Sequence, residues 1–152
     1  MTFTAKEDYG LRASVVLARA WLDSSVGGRA TLQARDIAAD QQIPEPFLEQ
    51  VLATLRRAGL VSATRGASGG YELARAPETI TTADILRALS GPLVPARLTQ
   101  DAGGEQAVGA VVRRRVWDAA EQALSSELER VTLRLLVEES RAATAGGYGM
   151  YI

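Results

Sequence analysis

The sequence predicts a mainly α-helical chain with a small β-hairpin, in which three helices precede the hairpin and a long helix follows it. Three observations lead to this prediction. A strong apolar periodicity runs through residues 43–60, two short apolar segments flank a glycine-rich turn within residues 60–74, and a long amphipathic segment occupies residues 106–130. With 152 residues, of which 47% are hydrophobic, the chain is long enough to bury a core of its own.

Two helices are predicted before residue 43. The first covers residues 5–22 and has its N-cap near Thr4. Its apolar face consists of Tyr9, Ala13, Val16, Leu17 and Ala20. The turn cluster DSSVGGRAT ends this helix. The second helix is the short segment LQARDIAADQQ, in which Ile37 and Ala38 are expected to be buried.

The third helix has the clearest pattern in the chain. Its apolar residues Leu48, Val51, Leu52 and Leu55 follow the i, i+3, i+4, i+7 spacing of a helix with one buried face. A proline in the first turn and two arginines in the last turn suit the two ends of a helix. Gly59 stands where a glycine in the left-handed conformation commonly ends a helix.

The hairpin consists of the strands LVSAT and GYELA around the tip RGASGG, whose glycines permit positive φ angles and close approach of the backbone to another surface. Two helices joined by a short link and followed by a hairpin form a helix-turn-helix with a wing. Residues 51–75 hold four arginines and one acid, so basic charge is concentrated here although the net charge of the chain is −1. At the tip, Arg65 suits insertion into a DNA minor groove, and the alternative is a solvated arginine on an ordinary turn.

The rest of the chain is predicted to be mainly helical. A helix with a capping box of Thr81 and Asp84 precedes a loop over residues 91–106, and the long helix follows. We interpret the apolar stripe of the long helix as a dimerisation seam, and the alternative is core packing within one chain. The seam residues are Trp117, Leu124, Leu128 and Val131. A further short helix is expected after Thr132.

Catalysis is not predicted for this chain. It contains no cysteine and no histidine, which excludes disulfides, thiolate nucleophiles, Ser-His-Asp triads and metal sites built on sulfur or imidazole. No paired-carboxylate motif lies in a plausible loop. No apolar stretch is long enough for a membrane span, and the N-terminal MTFTAKEDYGLR is too charged for a signal peptide, so a cytoplasmic location is expected.

The central segment FLEQVLATLRRAGLVSATRGASGGYELAR resembles the pattern of the Rrf2 family of bacterial winged-helix repressors, which includes the iron–sulfur cluster assembly regulator and the nitric-oxide-sensitive repressor. The resemblance extends to TAKEDYGLRA near the N-terminus and more weakly to ITTADILRAL and the long helix, and it covers about residues 1–138. It implies a winged-helix head, a long dimerising helix and a homodimer that regulates transcription, as a repressor, from a palindromic DNA site.

The resemblance also implies the residues that contact DNA. Glu49 and Gln50 match positions at the exposed start of the third helix, where glutamine can pair with adenine and glutamate can accept from cytosine. Arg65 matches the wing arginine that enters the minor groove. The other candidates are Phe47, also at the start of the third helix, and the possible phosphate contacts Lys6, Tyr9, Arg56 and Ser68. For Tyr9 and Phe47 the alternative is simple packing.

The chain departs from the family at the iron–sulfur cluster. Aligned with the cluster-binding members, Leu98 and Val111 stand at cysteine positions and Arg114 at about the position of a histidine. Apolar and cationic side chains do not ligate iron, so no cofactor is expected. The signal would then come from another small-molecule or protein effector. Arg97 and the arginines at 113–115 could attract an anion, and a solvated basic patch is the alternative.

Four units are expected along the chain: a winged helix-turn-helix DNA-binding domain at 1–90, a regulatory loop at 91–107, a dimerisation helix region at 108–140 and a flexible tail at 141–152. Helix 46–58 would lie in the major groove. A second hypothesis is a winged-helix protein-interaction module that does not read DNA, which the net charge of −1 leaves open. The two differ in one property, because only a DNA reader has a DNA affinity that falls steeply with salt.

Overall fold

The computed structural model of the protein describes residues 3–25, 30–100 and 106–146. The helices are α1 (Ala5–Asp23), α2 (Ala34–Gln41), α3 (Glu45–Arg57), α4 (Thr82–Ser90), α5 (Ala96–Thr99), α6 (Ala107–Val112), α7 (Ala119–Arg130) and α8 (Leu133–Ala145). The strands β1 (Val61–Thr64) and β2 (Gly70–Leu73) form an antiparallel hairpin. A 3-10 turn (Pro77–Thr79) and a π-helical segment (Arg113–Asp118) are also present. The predicted fold class is confirmed, and no helix in these ranges is long and apolar enough to cross a membrane.

The hydrophobic core joins the first four helices, the wing and α8. Helix α1 packs against α3, α4 and α8. The apolar row predicted for α3 is confirmed, since Leu48, Val51, Leu52 and Leu55 are all buried. Burial of an aliphatic side chain of this size contributes about 1.5–3 kcal/mol. This row therefore fixes which face of α3 stays exposed.

Two helices begin with a capping box, where the sequence predicted the box at Thr81 and only an N-cap near Thr4. The Thr4 side chain caps α1 together with Glu7, and the Thr81 side chain caps α4 together with Asp84. Each box satisfies backbone N–H groups that have no partner inside the helix, which is worth about 1 kcal/mol.

Helix α3 passes directly into the wing through a Schellman motif. Gly59 has a φ of 75°. The Gly59 N–H donates to the Arg56 carbonyl at 3.0 Å, and the Leu60 N–H donates to the Leu55 carbonyl at 3.0 Å. The left-handed glycine predicted at this position is therefore confirmed, and β1 starts two residues after it.

The wing has the predicted hairpin and one further partner. β1 pairs with β2 along its whole length, and each strand is one residue shorter than the predicted LVSAT and GYELA. Gly66 and Gly70 have φ angles of 109° and 146°, so these glycines of the tip do adopt positive φ. Leu32, which lies between α1 and α2, pairs with Tyr71 through backbone hydrogen bonds of 2.8 and 2.7 Å. The wing is thus held by a third segment of the chain.

The long helix is present but is not uniform. α6, the π-helical segment and α7 follow one another with helical backbone angles throughout their junctions. A π-helical turn contains more residues than the 3.6 of an α-turn, so side chains after the segment are rotated relative to those before it. An apolar stripe extended across the segment at α-helical spacing does not stay on one face.

Residues 91–100 of the predicted loop have defined structure, which corrects the sequence interpretation of this part as a loop. It contains α5, and Leu93 and Val94 are buried. The Val94 N–H donates to the Glu121 carboxylate of α7 at 2.7 Å. The proline and glycine content indicated only a loop, whereas these apolar residues anchor it. Residues 101–105 lie outside the described ranges.

Helix α8 returns to the head and packs against α1. Leu133 and Val137 are fully buried in the core that α1 and α3 share. The expected tail at 141–152 begins inside α8, which ends at Ala145, and its last six residues lie outside the described ranges. The physical reason is that the apolar residues of α8 need the surface of the head to be buried.

Glu7 is a buried carboxylate that joins the start of α1 to the end of α4. It is 4% exposed. It accepts hydrogen bonds from the Thr4 N–H at 2.7 Å, from the Thr4 hydroxyl at 2.6 Å and from the Ser90 hydroxyl. Burial alone raises the pKa of Glu7, but these hydrogen bonds outweigh it and lower the pKa from 4.5 to about 2.

We expect Glu7 to make folding pH dependent in the acid range. A carboxyl group with a lowered folded-state pKa contributes stability above its unfolded pKa of 4.5, and the contribution is lost as the pH falls through about 2. Glu7→Gln should lower the unfolding free energy at pH 7 by about 2 kcal/mol and flatten its fall toward pH 2. Urea unfolding across this range measures both effects. The matched control is Glu139→Gln on the exposed side of α8, and identical pH profiles for the two variants would contradict the assignment.

The glycine at the start of β2 gives a second test of the fold. A Cβ at Gly70 would lie 2.6 Å from the Leu32 carbonyl oxygen, whereas a Cβ at Gly66 would meet nothing within 4 Å. Both positions have positive φ, so Gly66→Ala should cost about 1–2 kcal/mol through backbone strain alone. Gly70→Ala should cost at least about twice as much, because it must also open the pairing with Leu32. Urea unfolding compares the variants, and equal losses would rule out the steric explanation.

Candidate nucleic-acid interface

The exposed face of α3 carries the side chains predicted to read bases. The burial of the row from Leu48 to Leu55 turns Glu49 and Gln50 away from the core, and both are exposed. They lie in the first half of the helix, before the two arginines of its last turn. A helix presented in this way offers an amide and a carboxylate to a partner surface.

Tyr9 and Phe47 pack against each other. Their ring centroids are 5.5 Å apart and the planes are nearly perpendicular, at 84°. The Arg12 guanidinium lies 5.1 Å from the Tyr9 ring centroid, and it donates to the Gln41 carbonyl at 3.0 Å. The packing alternative considered for both rings is therefore present. Sequence reasoning missed Arg12, which links α1 to the C-terminal end of α2 across a separation that no local pattern encodes.

Arg56 and Arg65 meet at one groove between α3 and the wing. Both side chains are exposed. The groove has a volume of about 430 Å³ and is lined by Gln33, Arg56, Ala63, Thr64, Arg65, Gly66, Gly70 and Tyr71. Two guanidinium groups and no carboxylate line it, so it suits a negatively charged group.

The other two predicted contacts have different surroundings. Ser68 lies on the return side of the wing tip with an exposed side chain, and its carbonyl accepts a hydrogen bond from the Thr31 hydroxyl at 3.0 Å. Lys6 lies in the first turn of α1, where its ammonium is 3.8 Å from the buried Glu7 carboxylate. Thr31 and Gln33, which contact the wing tip, were not identified from the sequence, because they are more than thirty residues from it.

The residues predicted for the dimer seam lie on the half-buried side of the long helix. This holds for Trp117, Leu124, Leu128 and Val131. α7 packs against α4. The Thr82 hydroxyl of α4 donates to the Leu128 carbonyl at 2.7 Å, and the Thr82 backbone N–H donates to the Val131 carbonyl at 2.8 Å. This part of the long helix therefore contacts the head of its own chain through α4, and the dimer seam stays a prediction.

A second apolar face of the long helix, which is exposed, lies toward its start. Val108 is 76% exposed, and Val111, Val112 and Val116 are between 42% and 48% exposed. We call these four residues the valine face. Helical periodicity alone did not separate this face from the half-buried side, because periodicity does not show which side of a helix packs against the rest of the chain.

Comparison with known proteins identifies the family. Residues 3–139 match the Rrf2 family model, described as an iron-dependent transcriptional regulator. The chain is 35% identical over 133 residues to the HTH-type transcriptional regulator CymR of Bacillus subtilis, covering 88% of this chain and 87% of CymR. It is 30% identical over 147 residues to the HTH-type transcriptional regulator IscR of Klebsiella pneumoniae, covering 97% of this chain and 86% of IscR.

The iron in the family description does not fit the residues of this chain. Leu98 is half-buried in α5, and Val111 and Arg114 are exposed on the long helix. None of them offers an atom that ligates iron, and the sequence supplies no thiolate or imidazole elsewhere. Among residues 3–25, 30–100 and 106–146, no three acidic side chains are grouped so that they could hold a metal ion.

Solved structures agree with the family match. The structure of CymR, the global cysteine regulator of B. subtilis, has a TM-score of 0.73 at 32% identity and covers 91% of this chain and 98% of CymR. The T. potens IscR structure has a TM-score of 0.71 at 34% identity and covers 99% of this chain and 97% of that protein. These relatives are regulators and not enzymes. The chain belongs to the Rrf2 family of DNA-binding winged helix-turn-helix transcriptional regulators.

Proposed function

We propose that this protein is a cytoplasmic homodimeric repressor that reads a palindromic DNA site, with α3 in the major groove and the wing in the adjacent minor groove. The observation that carries the proposal is the groove between α3 and the wing. It places Arg56 and Arg65 beside the exposed helix face that holds Glu49 and Gln50. Major-groove side chains and a cationic tip on the same side are what a winged helix needs to bind a duplex.

Base reading would come from α3. Gln50 can donate to N7 and accept from N6 of adenine, and Glu49 can accept from N4 of cytosine or repel a base that presents only acceptors. Tyr9 and Phe47 support this role through their ring contact of 5.5 Å, which holds the first turn of α3 against α1. Their remaining exposed edges can still approach the DNA backbone.

The groove between α3 and the wing would receive a backbone phosphate. Arg56 can pair with its oxygens from the helix side. Arg65 lies at the exposed tip, where its long side chain can continue into the minor groove. Lys6 and Ser68 are further phosphate contacts in this proposal, and the exposed hydroxyl of Ser68 lies on the same wing tip.

A second copy of the chain would cover the valine face. Four valines exposed on one helix form an apolar surface that is costly to leave in water. Two-fold pairing of two long helices would bury this face and set two copies of α3 about one DNA turn apart, which matches a palindrome. In this proposal Trp117, Leu124, Leu128 and Val131 support the seam from its half-buried side.

Repression would follow from occupancy of a promoter, and an effector would change the spacing of the two heads. Segment 91–100 connects the two parts, because Val94 is buried and donates to Glu121 of the long helix. A ligand that displaced this hydrogen bond would act on the seam and the head together. Without a cluster, the effector is a small molecule or a protein. Arg97, Arg114 and Arg115 are exposed here and suit an anion.

The DNA-reading proposal predicts a specific loss in Arg65→Ala. Selection from a random DNA pool should enrich a palindrome. Loss of Arg65 should then weaken binding to it by about 1–3 kcal/mol, or roughly 5- to 150-fold, and reduce the salt dependence of the binding constant. Titration at two salt concentrations measures both.

Arg134→Ala is the matched control, because Arg134 is an exposed arginine on α8 that pairs with Glu138. It should bind like the wild type. If no sequence is enriched and binding is indifferent to Arg65, the wing does not read DNA. The chain would then be a winged-helix module that contacts proteins.

The dimer proposal predicts that Val108→Glu with Val112→Glu produces a monomer. Two carboxylates in an apolar seam have no partner for their charge, so association should weaken by at least about 100-fold. Analytical ultracentrifugation measures the mass. Gln122→Glu is the control, because Gln122 is exposed in α7 outside the valine face. A variant that remains dimeric would place the seam elsewhere.

A further inference from the structure

The segment between α1 and α2 forms a third edge of the wing. Leu32 makes both backbone hydrogen bonds to Tyr71, at 2.8 and 2.7 Å. Side chains in an extended segment alternate between its two faces. Leu32 is therefore directed toward the core, where it is partly buried, and its two neighbours share the opposite face.

Those two neighbours hold the backbone of the wing tip. The Thr31 hydroxyl donates to the Ser68 carbonyl at 3.0 Å, and the Gln33 side-chain amide donates to the Gly69 carbonyl at 2.6 Å. Both acceptors lie on the return side of the tip, between Arg65 and β2. The two hydrogen bonds thus fix the arm of the tip opposite the arginine.

The tip needs such support because its glycines allow its backbone many conformations. Gly66 and Gly70 have positive φ, and within the tip the Gly69 N–H donates to the Gly66 carbonyl at 3.0 Å. Glycines give the backbone more conformational freedom than any other residue. A cationic side chain on a loosely held tip would lose affinity through the entropy of ordering it on DNA.

We propose that Thr31 and Gln33 are positioning residues for Arg65. They hold the wing tip at the angle from which the arginine reaches the minor groove, and they do so without contacting the base that the arginine reads. This inference rests on the proposed DNA-reading function. It assigns a role in affinity to a segment outside both α3 and the hairpin.

The test is a double-mutant cycle between this segment and Arg65. Thr31→Val removes the hydroxyl and keeps the branched shape, and Gln33→Met removes the amide and keeps the length. Each lost hydrogen bond should weaken binding to the selected palindrome by about twofold to tenfold. In the Arg65→Ala background the same pair of changes should weaken binding by less than about twofold, because the coupled partner is absent.

Two controls separate positioning from general stability. Thr31→Ser keeps the hydroxyl and should restore wild-type affinity. Thr144→Val removes a hydroxyl that donates to the Ser140 carbonyl on α8 at 3.0 Å, and it should leave DNA affinity unchanged. Urea unfolding of each variant shows whether a loss of affinity accompanies a loss of folding.

The experiment distinguishes failure of the positioning role from failure of the proposed DNA-reading function. Binding that depends on Arg65 but is unaffected by the Thr31 and Gln33 changes would overturn the positioning role and leave DNA reading intact. Equal losses in both backgrounds would also overturn it, because the segment would then act independently of Arg65. Wild-type protein that binds no DNA would remove the proposed function and the inference together.

Discussion

The geometry of the candidate DNA-binding side depends on the backbone of Leu60. Its N–H donates to the Leu55 carbonyl at the end of α3, and its carbonyl accepts from the Ala74 N–H at the end of β2, both at 3.0 Å. One residue therefore joins α3 to both strands of the wing. Its side chain is buried, so the junction cannot swing without exposing the core. The junction therefore sets the relative position of α3 and the wing, and with it the shape of the groove lined by Arg56 and Arg65.

Local signals in the sequence predicted the parts of the fold that neighbouring residues determine. The capping box at Thr81, the left-handed Gly59 and the apolar row of α3 each involve residues within a few positions of one another, so spacing alone reveals them. The pairing of Leu32 with Tyr71 could not be predicted in this way. It joins distant positions through backbone N–H and C=O groups, which every residue type except proline carries, so the residue types do not reveal the pairing. The same holds for the amide of Gln33, which has many possible partners in an unfolded chain.

The long helix shows that amphipathic periodicity can identify a helix without showing what covers each of its faces. Trp117 lies in the π-helical segment Arg113–Asp118, whereas Leu124 and Leu128 follow it in α7. The half-buried side of α7 packs against α4, and the four valines of the valine face remain exposed to solvent. Predicting this would have required the crossing of α7 over α4 in advance, which is a property of the tertiary structure. The candidate DNA contacts on α3 and the wing stay a prediction, and their proximity in the structure could be expected because these two elements are adjacent in the chain.

The return of α8 to the head has a consequence for how the protein is made. The first 90 residues leave the ribosome early, yet the core they form still lacks Leu133 and Val137, which are fully buried in the complete chain. A nascent head therefore has an open apolar surface until the long helix has also emerged. The core of the head is therefore completed only after α8 has been synthesised. A chain that stopped near residue 90 would expose the apolar surface that Leu133 and Val137 otherwise cover, so it would be prone to aggregate rather than persist as a folded head.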